Sequence, residues 1–281
     1  MPFIRRASCI GRSNGVKFAF GLPVMAFDGV SRAHGVSFLN LNFSALTLDT
    51  AVDAVAARAS IPNAAFAYVA TPNVDHVVGL SNEPGRRPLY ESAWLLLNDS
   101  RILRKLGVHA GIDLPVATGA DLAERLFDDV IDRREPITII GGDEASIAEL
   151  KRRYYFTDVR WYRAPMGLKQ KPEAIVRAAA FAAAQPSRFT FICVGAPQQE
   201  MIAYAIAQRG DARGVGLCVG AALDFLSGQT QRAPAWMRSA GLEWLHRLLS
   251  EPQRLWKRYL VDGPKVFSLF AAWRASIASA N

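Results

Sequence analysis

The sequence predicts an α/β fold: a Rossmann-like, mostly parallel sheet with helices on both faces, followed by a C-terminal helical appendage. Segments of strand length, rich in apolar, β-branched and aromatic residues, alternate with segments that have helical apolar spacing. This alternation stops after residue 228, where Trp and Arg become frequent. Hydrophobic residues make up 51% and charged residues 21% of the chain, a globular balance that excludes wholesale disorder.

The alternating part contains seven predicted strands and five predicted helices. Helices that connect parallel strands cover both faces of the sheet. No apolar run reaches the length of about 18 residues that a membrane-spanning helix needs. The predicted strands are 36–42, 64–70, 94–97, 137–140, 159–163, 189–194 and 214–219, and the predicted helices are 47–58, 121–131, 144–154, 171–184 and 198–209.

Basic residues concentrate at the two ends of the chain. Residues 1–36 hold five Lys and Arg against one Asp, and residues 232–281 hold eight against three acidic residues, within a total net charge of +8. A basic end attracts phosphates, whether of nucleic acid, an anionic bilayer or a phosphorylated substrate. We therefore predict a basic, poorly ordered N-terminal extension over 1–36, an α/β catalytic domain over 37–230 and a basic, Trp-rich helical appendage over 231–281. The extension lacks a clean cleavage site, which argues against a signal peptide.

The appendage holds four of the six Trp residues. Trp, Arg and Leu on short helices are typical of a segment that lies on a membrane surface. The alternative is a helical cap packed on the sheet, with its Arg residues in solvent. Both interpretations can be true. On one continuous helix Arg247, Arg254 and Arg258 would share a face. Pro252 suits the first turn of a helix, and Ser250 with Gln253 has the pattern of a capping box.

Small and polar residues follow five of the predicted strands. In an open α/β sheet the carboxyl ends of parallel strands share one edge, where ligands bind. Glycine lets backbone N–H groups approach a ligand closely, and a helix N-terminus favours an anion. Turns also need Gly, Asn and Pro, but five such clusters together favour a phosphate-bearing ligand. The clusters are 71–73, 98–100, 141–143, 195–200 and 220–224, and they include Gly141, Gly142 and Gly195.

Asp99 is the best candidate for a general base, because it follows an apolar strand and a carboxylate there can accept a proton from a bound hydroxyl. An Asx-turn or helix-cap role is equally compatible with its position. Asp224 can bind a ligand or cap a helix. Glu200 opens a helix, where its charge suits the helix dipole even without a ligand.

The sequence lacks the motifs of several classes of enzyme and metal site. The chain contains no Asp-x-Asp, no Gly-x-Ser-x-Gly and no Walker A loop, and its four His have no ligand spacing. Its three Cys lie far apart, which excludes a disulfide framework and suits a reducing compartment. Glycines over 214–220 come close to a dinucleotide fingerprint but lie inside a predicted strand, which favours packing. We expect no metal site and no cofactor.

These clusters, in this order, resemble the WecG/TagA/CpsF bacterial glycosyltransferases over about residues 37–262. The most specific motifs are Gly195-Ala-Pro-Gln-Gln-Glu200, Arg232-Ala-Pro-Ala-Trp236 and Gly241-Leu-Glu-Trp-Leu-His-Arg247. The resemblance implies an inverting, metal-independent transfer of a hexose or N-acetylhexosamine from a UDP-sugar to a polyprenyl-pyrophosphate-linked sugar. It also implies a cytoplasmic protein, peripheral on the inner face of the plasma membrane, that acts in surface or exopolysaccharide biosynthesis.

The resemblance also implies roles for individual residues. The proposed general base of the family falls on Asp99, and the nucleotide-contacting Asp falls on Asp224. Arginines of the appendage complete the site and meet the acceptor's pyrophosphate at the membrane. The positions that match substrate-binding segments of the family are Thr71, Asn73, Pro197, Gln199, Glu200, Arg232, Arg247, Arg254 and Arg258.

The chain departs from the family pattern at two places. Asn98-Asp99-Ser100 stands where Ala-Asp-Gly is common, and Gln198 stands where Lys is common. These changes alter the shape and charge of the pocket, so N-acetylmannosamine, the donor sugar of some members, is not assumed.

Two other functions stay open at the level of the sequence. A non-catalytic nucleotide- or nucleic-acid-binding α/β protein would use the Arg and Trp residues of the appendage for stacking and phosphate contacts. A nucleotide-sugar or dinucleotide enzyme of another class, such as an oxidoreductase, is the third option. The resemblance favours the transferase, with no nucleic-acid partner, and leaves open whether the chain forms a homo-oligomer.

Overall fold

The computed structural model describes residues 35–279. The predicted N-terminal extension lies outside these residues except for Gly35 and Val36, which belong to the first strand. Within residues 35–279, no helix is both long and apolar enough to cross a membrane.

The predicted parallel sheet is confirmed. Six strands pair in the order β4-β3-β8-β7-β5-β6, and every pairing is parallel. The last two strands of the chain therefore sit in the middle of the sheet. The strands are β3 (Ala67–Ala70), β4 (Leu95–Leu96), β5 (Ile137–Gly141), β6 (Val159–Tyr162), β7 (Phe189–Cys193) and β8 (Val215–Cys218).

The strand predicted over 36–42 is instead a hairpin. The strands β1 (Gly35–Phe38) and β2 (Leu41–Ser44) pair antiparallel, and Gly35 lies opposite Ser44. Leu39 and Asn40 form the turn with φ of 49° and 61°. Positive φ is usual in the two-residue turns that match the twist of a hairpin, and Asn tolerates it better than most residues.

Helices cover both faces of the sheet, as predicted. One face packs against α1, α5, α6 and α9, and the other against α2, α4, α7, α8 and the final helix, Lys265–Ala278. The four helices α2, α3, α4 and α9 were not predicted. The helices of the domain are α1 (Leu48–Ala59), α2 (Val74–Asn82), α3 (Pro88–Glu91), α4 (Arg101–His109), α5 (Gly119–Arg125) with a π-helical continuation (Leu126–Val130), α6 (Glu144–Tyr154), α7 (Pro172–Ala184), α8 (Gln198–Arg209) and α9 (Ala222–Leu226).

The appendage is helical but broken. Pro252 occupies the first turn of its helix, as predicted. The predicted capping box is wrong, because the hydroxyl of Ser250 donates to the carbonyl of His246 and Glu251 holds the cap position. The helices are α10 (Ala235–Ala240), α11 (Glu243–Ser250), α12 (Pro252–Trp256) with a π-helical continuation (Lys257–Asp262), and α13 (Lys265–Ala278).

The final helix is a cap packed on the domain. Val266, Phe270 and Trp273 on α13 are buried. The rings of Phe38 and Trp273 meet edge to face with centroids 5.1 Å apart. By contrast, α11 has no buried residue. The two parts of the appendage therefore differ: the final helix has fully buried side chains, whereas most side chains of α11 are half-buried.

Candidate active site at the carboxyl edge of the sheet

The strand order brings the five clusters together at one edge. Because all six strands are parallel, their carboxyl ends point the same way. Along this edge the cluster after β4 comes first. The clusters after β3, β8, β7 and β5 follow in that order.

The segment around Asp99 is held in place by its neighbours. The side chain of Asn98, 1% exposed, donates to the carbonyls of Leu114 and Pro115 at 3.4 and 3.3 Å. Its Oδ1 accepts the backbone N–H of Ser100 at 2.9 Å. These contacts restrain the turn that carries Asp99.

Ser100, and not Asp99, caps the helix that follows. The hydroxyl of Ser100 accepts the N–H of Leu103 at 3.2 Å, at the start of α4. Asn98 supplies the Asx-type contact. Both of the non-catalytic roles considered for Asp99 are therefore filled by the residues on either side of it. The two residues that depart from the common family pattern here, Asn98 and Ser100, have these structural roles.

The environment of Asp99 favours its neutral form. Its pKa is raised to about 8, with burial as the largest cause and the carboxylates of Glu243 and Asp121 as the next. Arg247 and Arg258 oppose this effect. A carboxyl group with a pKa near neutrality is suited to accept a proton during a reaction.

Arg247 also lies close to Asp224. Burial raises the pKa of Asp224, while Arg247 and Arg254 lower it. Asp224 does not cap α9, because Ala221 holds that position and makes no side-chain cap. The guanidinium groups of Arg232 and Arg247 both lie over the ring of Phe225, at 5.7 and 5.6 Å.

The four predicted arginines have different partners. Arg232 pairs with Asp121 at 2.8 Å and Glu124 at 3.1 Å. Arg254 is exposed and pairs with Glu251 in its own helix, and Arg258 lies 3.4 Å from Asp75 in α2. Of these four arginines, Arg247 and Arg258 are the two whose charges lower the pKa of Asp99.

Three arginine side chains keep unused donors at this edge. Within residues 35–279, the Nε atoms of Arg232, Arg238 and Arg247 are buried without a hydrogen-bond partner. Nε of Arg258 makes no hydrogen bond either, but it is the atom that lies 3.4 Å from Asp75. Buried donors are normally satisfied, so this cluster has capacity for an anion that accepts several hydrogen bonds. Sequence reasoning missed Arg238, which lies 3.6 Å from Asp121. Its spacing of six residues after Arg232 gave no periodic signal.

Thr71 and Asn73 organise the end of β3. The hydroxyl of Thr71 donates to the carbonyl of Cys218 at 3.1 Å and so joins the ends of β3 and β8. Asn73 is the N-cap of α2, and its side chain accepts the N–H of Asp75. A cavity of about 170 Å³ opens beside this cap and is lined by residues that include Asp75, Tyr90 and Pro197.

The glycines after β5 and β7 allow close approach. A Cβ on Gly142 would lie 2.3 Å from a methyl carbon of Leu223, and one on Gly141 would lie 2.7 Å from the carbonyl of Cys193. Gly195 has a φ of 76° and open space where a Cβ would be, and the Ala196–Pro197 peptide that follows is cis. Gly141 and Gly142 thus serve packing, while Gly195 borders open space.

Gln199 and Glu200 reach the edge but are almost completely buried, at 3% and 0% exposure. The amide nitrogen of Gln199 donates to Glu200 at 2.8 Å, and its oxygen accepts the N–H of Gly220 at 2.8 Å. Both ends of this amide therefore bind groups of the protein.

Two of the three glycines over 214–220, Gly214 and Gly216, serve packing, as expected, whereas Gly220 lies in the turn after β8 without a close neighbour. A Cβ on Gly216 would lie 2.4 Å from the ring of Phe66, and one on Gly214 would lie 2.2 Å from the carbonyl of Ser187. Both lie at or within β8 and not in the turn after it, so they do not form a dinucleotide fingerprint.

A family model described as "Glycosyl transferase WecG/TagA/CpsF family" matches residues 36–279. The chain belongs to this family. The match covers most of the sequence and nearly all of the described structure, including every residue of the candidate site. Membership in the WecG/TagA/CpsF family supports a transferase over the binding-protein and oxidoreductase alternatives. It implies, in general terms, a nucleotide-sugar donor and a glycan acceptor.

Proposed function

We propose that this WecG/TagA/CpsF transferase moves a hexose or N-acetylhexosamine from a UDP-sugar to a polyprenyl-pyrophosphate-linked sugar, with inversion. The reaction is a single in-line displacement. Asp99 removes the proton of the acceptor hydroxyl as its oxygen bonds to the anomeric carbon. The bond from that carbon to the UDP oxygen breaks, and UDP leaves with the electron pair.

The observation that carries this proposal is the position of Asp99 between opposing charges. Its pKa of about 8 results from burial and from neighbouring carboxylates, and Arg247 and Arg258 face it. A base needs a pKa near the working pH, so that it is ionised before the reaction and still attracts a proton during it. The bonds of Asn98 hold the turn that carries Asp99.

The unpartnered guanidinium donors support binding of a diphosphate. Negative charge accumulates on UDP as it departs, and donors already directed at that charge stabilise the transition state. Arg232, Arg238 and Arg247 each keep a buried Nε without a hydrogen-bond partner, and Nε of Arg258 has only the contact with Asp75 at 3.4 Å. We assign them, with Arg254, to the diphosphates of donor and acceptor.

The other residues at the carboxyl edge of the sheet are assigned to the nucleotide, the phosphates and the walls of the pocket. We assign Asp224 to the nucleotide, Thr71 and Asn73 to the walls of the pocket near Asp99, and the backbone at Gly141, Gly142 and Gly195 to the phosphates. Pro197, Gln199 and Glu200 shape the loop and helix start after β7. Glu200 and Gln199 have no exposed surface to offer a ligand, so their contribution is to hold this loop.

We propose that the exposed part of the appendage lies on the inner face of the plasma membrane. Trp236, Leu249, Trp256 and Leu260 are between 52% and 71% exposed. Basic residues accompany them, and each Lys or Arg near an anionic surface contributes roughly 1 kcal/mol. A lipid-linked acceptor is bound in that membrane, so a site next to the appendage can reach it.

Release of UDP tests the reaction. The protein is incubated with a panel of UDP-sugars and a short-chain lipid-pyrophosphate sugar, in the presence of EDTA. Release that needs both the acceptor and one particular donor would support the proposal and identify the sugar. If no donor supports release and UDP gives no protection against thermal unfolding, a UDP-sugar transferase is the wrong assignment.

A further inference from the structure

A buried polar chain of contacts joins the ends of three central strands. It runs from Asn73 after β3 through His76 in α2 to Glu200 and Gln199 in α8, and it ends at the backbone of Gly220 after β8. His76 is 9% exposed and Glu200 is 0% exposed. None of the motifs singled out in the sequence contains His76.

A fully buried carboxylate needs a partner, because removing a charge from water costs several kcal/mol when nothing compensates it. The Nε2 atom of His76 lies 3.5 Å from Oε1 of Glu200, an ion-pair distance. Within the described residues, neither Nε2 of His76 nor Oε2 of Glu200 has a hydrogen-bond partner. The imidazole and the carboxylate are therefore held against each other, and His76 also lines the cavity of about 170 Å³ beside the cap of α2.

The tautomer of His76 is decided at Nε2, because the other ring nitrogen fits its surroundings with or without a proton. Nδ1 accepts the N–H of Asn73 at 3.2 Å when it carries no proton, and it lies 2.9 Å from Oδ1 of Asn73, which can accept a proton from it. At the other end, an Nε2–H directed at the carboxylate of Glu200 is favourable, whereas an Nε2 lone pair would face the carboxylate oxygen. We therefore place a ring proton on Nε2.

Glu200 is connected through Gln199 to the end of β8. Its Oε1 accepts the amide of Gln199, and the oxygen of Gln199 accepts the N–H of Gly220. Gly220 has a φ of 56°, in the left-handed region, and α9 with Asp224 follows it directly. A change in the orientation of Gln199 would therefore alter the turn that presents Asp224.

We propose that His76 is a positioning residue for the donor site: by holding the Glu200 carboxylate, it orients Gln199 and through it the Gly220 turn that precedes Asp224. The inference rests on the proposed function, in which this turn binds the nucleotide sugar. His76 itself contacts no substrate.

Two substitutions test the contacts of Nδ1 and Nε2 separately. The amide of Asn reaches the position of Nδ1, so His76→Asn keeps a partner for the Asn73 cap and removes the donor that faces Glu200. The amide of Gln reaches the position of Nε2, so His76→Gln does the opposite. We expect His76→Asn to raise the KM for the UDP-sugar about tenfold, the usual effect of losing one hydrogen bond to a charged group. We expect kcat to change much less and His76→Gln to behave like wild type.

Amide hydrogen exchange at Gly220 tests the same chain of contacts without any activity measurement. We expect faster exchange in His76→Asn and wild-type exchange in His76→Gln. If both variants showed the same increase in KM and the same decrease in kcat and thermal stability, the role of His76 would be purely structural and the inference would be overturned. Wild-type behaviour of His76→Asn would also overturn it. If the wild type neither binds nor turns over UDP-sugars, the proposed function fails, and Gly220 exchange still tests the contacts.

A measurement on the wild type covers the case in which His76→Asn does not fold. Nitrogen-15 NMR of the histidine rings reports which nitrogen carries a proton. We expect His76 to carry one on Nε2 that exchanges slowly with water. An Nε2 without a proton would contradict the inference.

Discussion

The backbone N–H of Asp99 donates to the carbonyl of Pro72 at 3.0 Å. This bond runs from the end of β4 to the end of β3 and sets the distance between the proposed base and the segment that holds Thr71 and Asn73. Asn98 holds the same turn from the opposite side through Leu114 and Pro115. The base is thus attached to the sheet by backbone contacts that do not involve its own carboxylate, so the carboxylate can be altered without moving the turn.

Asp99→Asn should fold normally and lose transfer. The amide has the same size as the carboxylate but cannot take the acceptor proton, and general-base catalysis is worth about 10²- to 10⁴-fold in rate. We expect kcat to fall at least about 100-fold by this estimate, measured as acceptor-dependent UDP release. Asp113→Asn, at an exposed carboxylate, is the matched control and should be unaffected. Near-wild-type turnover by Asp99→Asn would remove Asp99 from the role of base.

The pH dependence of the wild type should show the ionisation of Asp99. Only the carboxylate form can act as a base, and the environment raises its pKa to about 8. We expect kcat/KM to increase with pH up to about 8 and then to level off. A profile that is already flat at pH 5 would mean that the group is ionised there, and the assignment of the base would then be wrong.

The same ionisation should reduce stability as the pH rises. The pKa of Asp99 increases from 3.8 to about 8 on folding, so the folded protein binds more protons than the unfolded chain between these values. The free energy of unfolding therefore decreases through this window, and the whole loss is present above pH 8. We expect Asp99→Asn to unfold at a higher temperature than wild type at pH 8.5. Near pH 4 the two melting temperatures should converge, and a constant difference would contradict the pKa assignment.

Arg247→Gln should change both the pH profile and the donor affinity. Arg247 lowers the pKa of Asp99 and of Asp224, so without it both carboxyl groups hold their protons to higher pH. We expect the rise in kcat/KM to shift to higher pH and the donor KM to increase roughly tenfold, the effect of losing one charge-assisted hydrogen bond. Arg152→Gln is the control, because Arg152 is exposed on α6 and pairs with Glu149. An unshifted pH profile would exclude Arg247 from the surroundings of the base.

The sequence predicted the sheet and its edge well, because both depend on local patterns. Apolar runs mark strands such as β5 and β7, and small polar residues mark where each strand ends. The turn at Leu39 was not predicted, because Leu carries no turn signal and only the pairing of Gly35 with Ser44 defines the hairpin. The helix α4 was not predicted, because Asn98, Asp99 and Ser100 can each cap a helix and nothing in this run indicates that Ser100 does so.

The parts of the site that sequence reasoning missed depend on contacts between distant segments. His76 lies more than a hundred residues before Glu200, and nothing near either residue in the sequence indicates the other. Arg238 gains its position from Asp121, on a helix from the first half of the chain. Long-range contacts of this kind follow from the order of the strands, which local patterns do not give.

Trp256→Ser combined with Leu260→Ser should weaken binding to anionic vesicles. These side chains are 52% and 56% exposed and lie one helical turn apart, on α12 and its continuation. Burying a large apolar side chain contributes about 1.5–3 kcal/mol, so the double variant should bind vesicles at least about tenfold more weakly. Tyr155→Ser combined with Met166→Ser is the matched control, because those side chains are equally apolar and even more exposed, at 77% and 89%, but lie outside the appendage. Flotation with vesicles that contain an anionic lipid measures the difference. Equal flotation of wild type and the appendage variant would mean that another surface meets the membrane, or that the acceptor is reached without membrane contact.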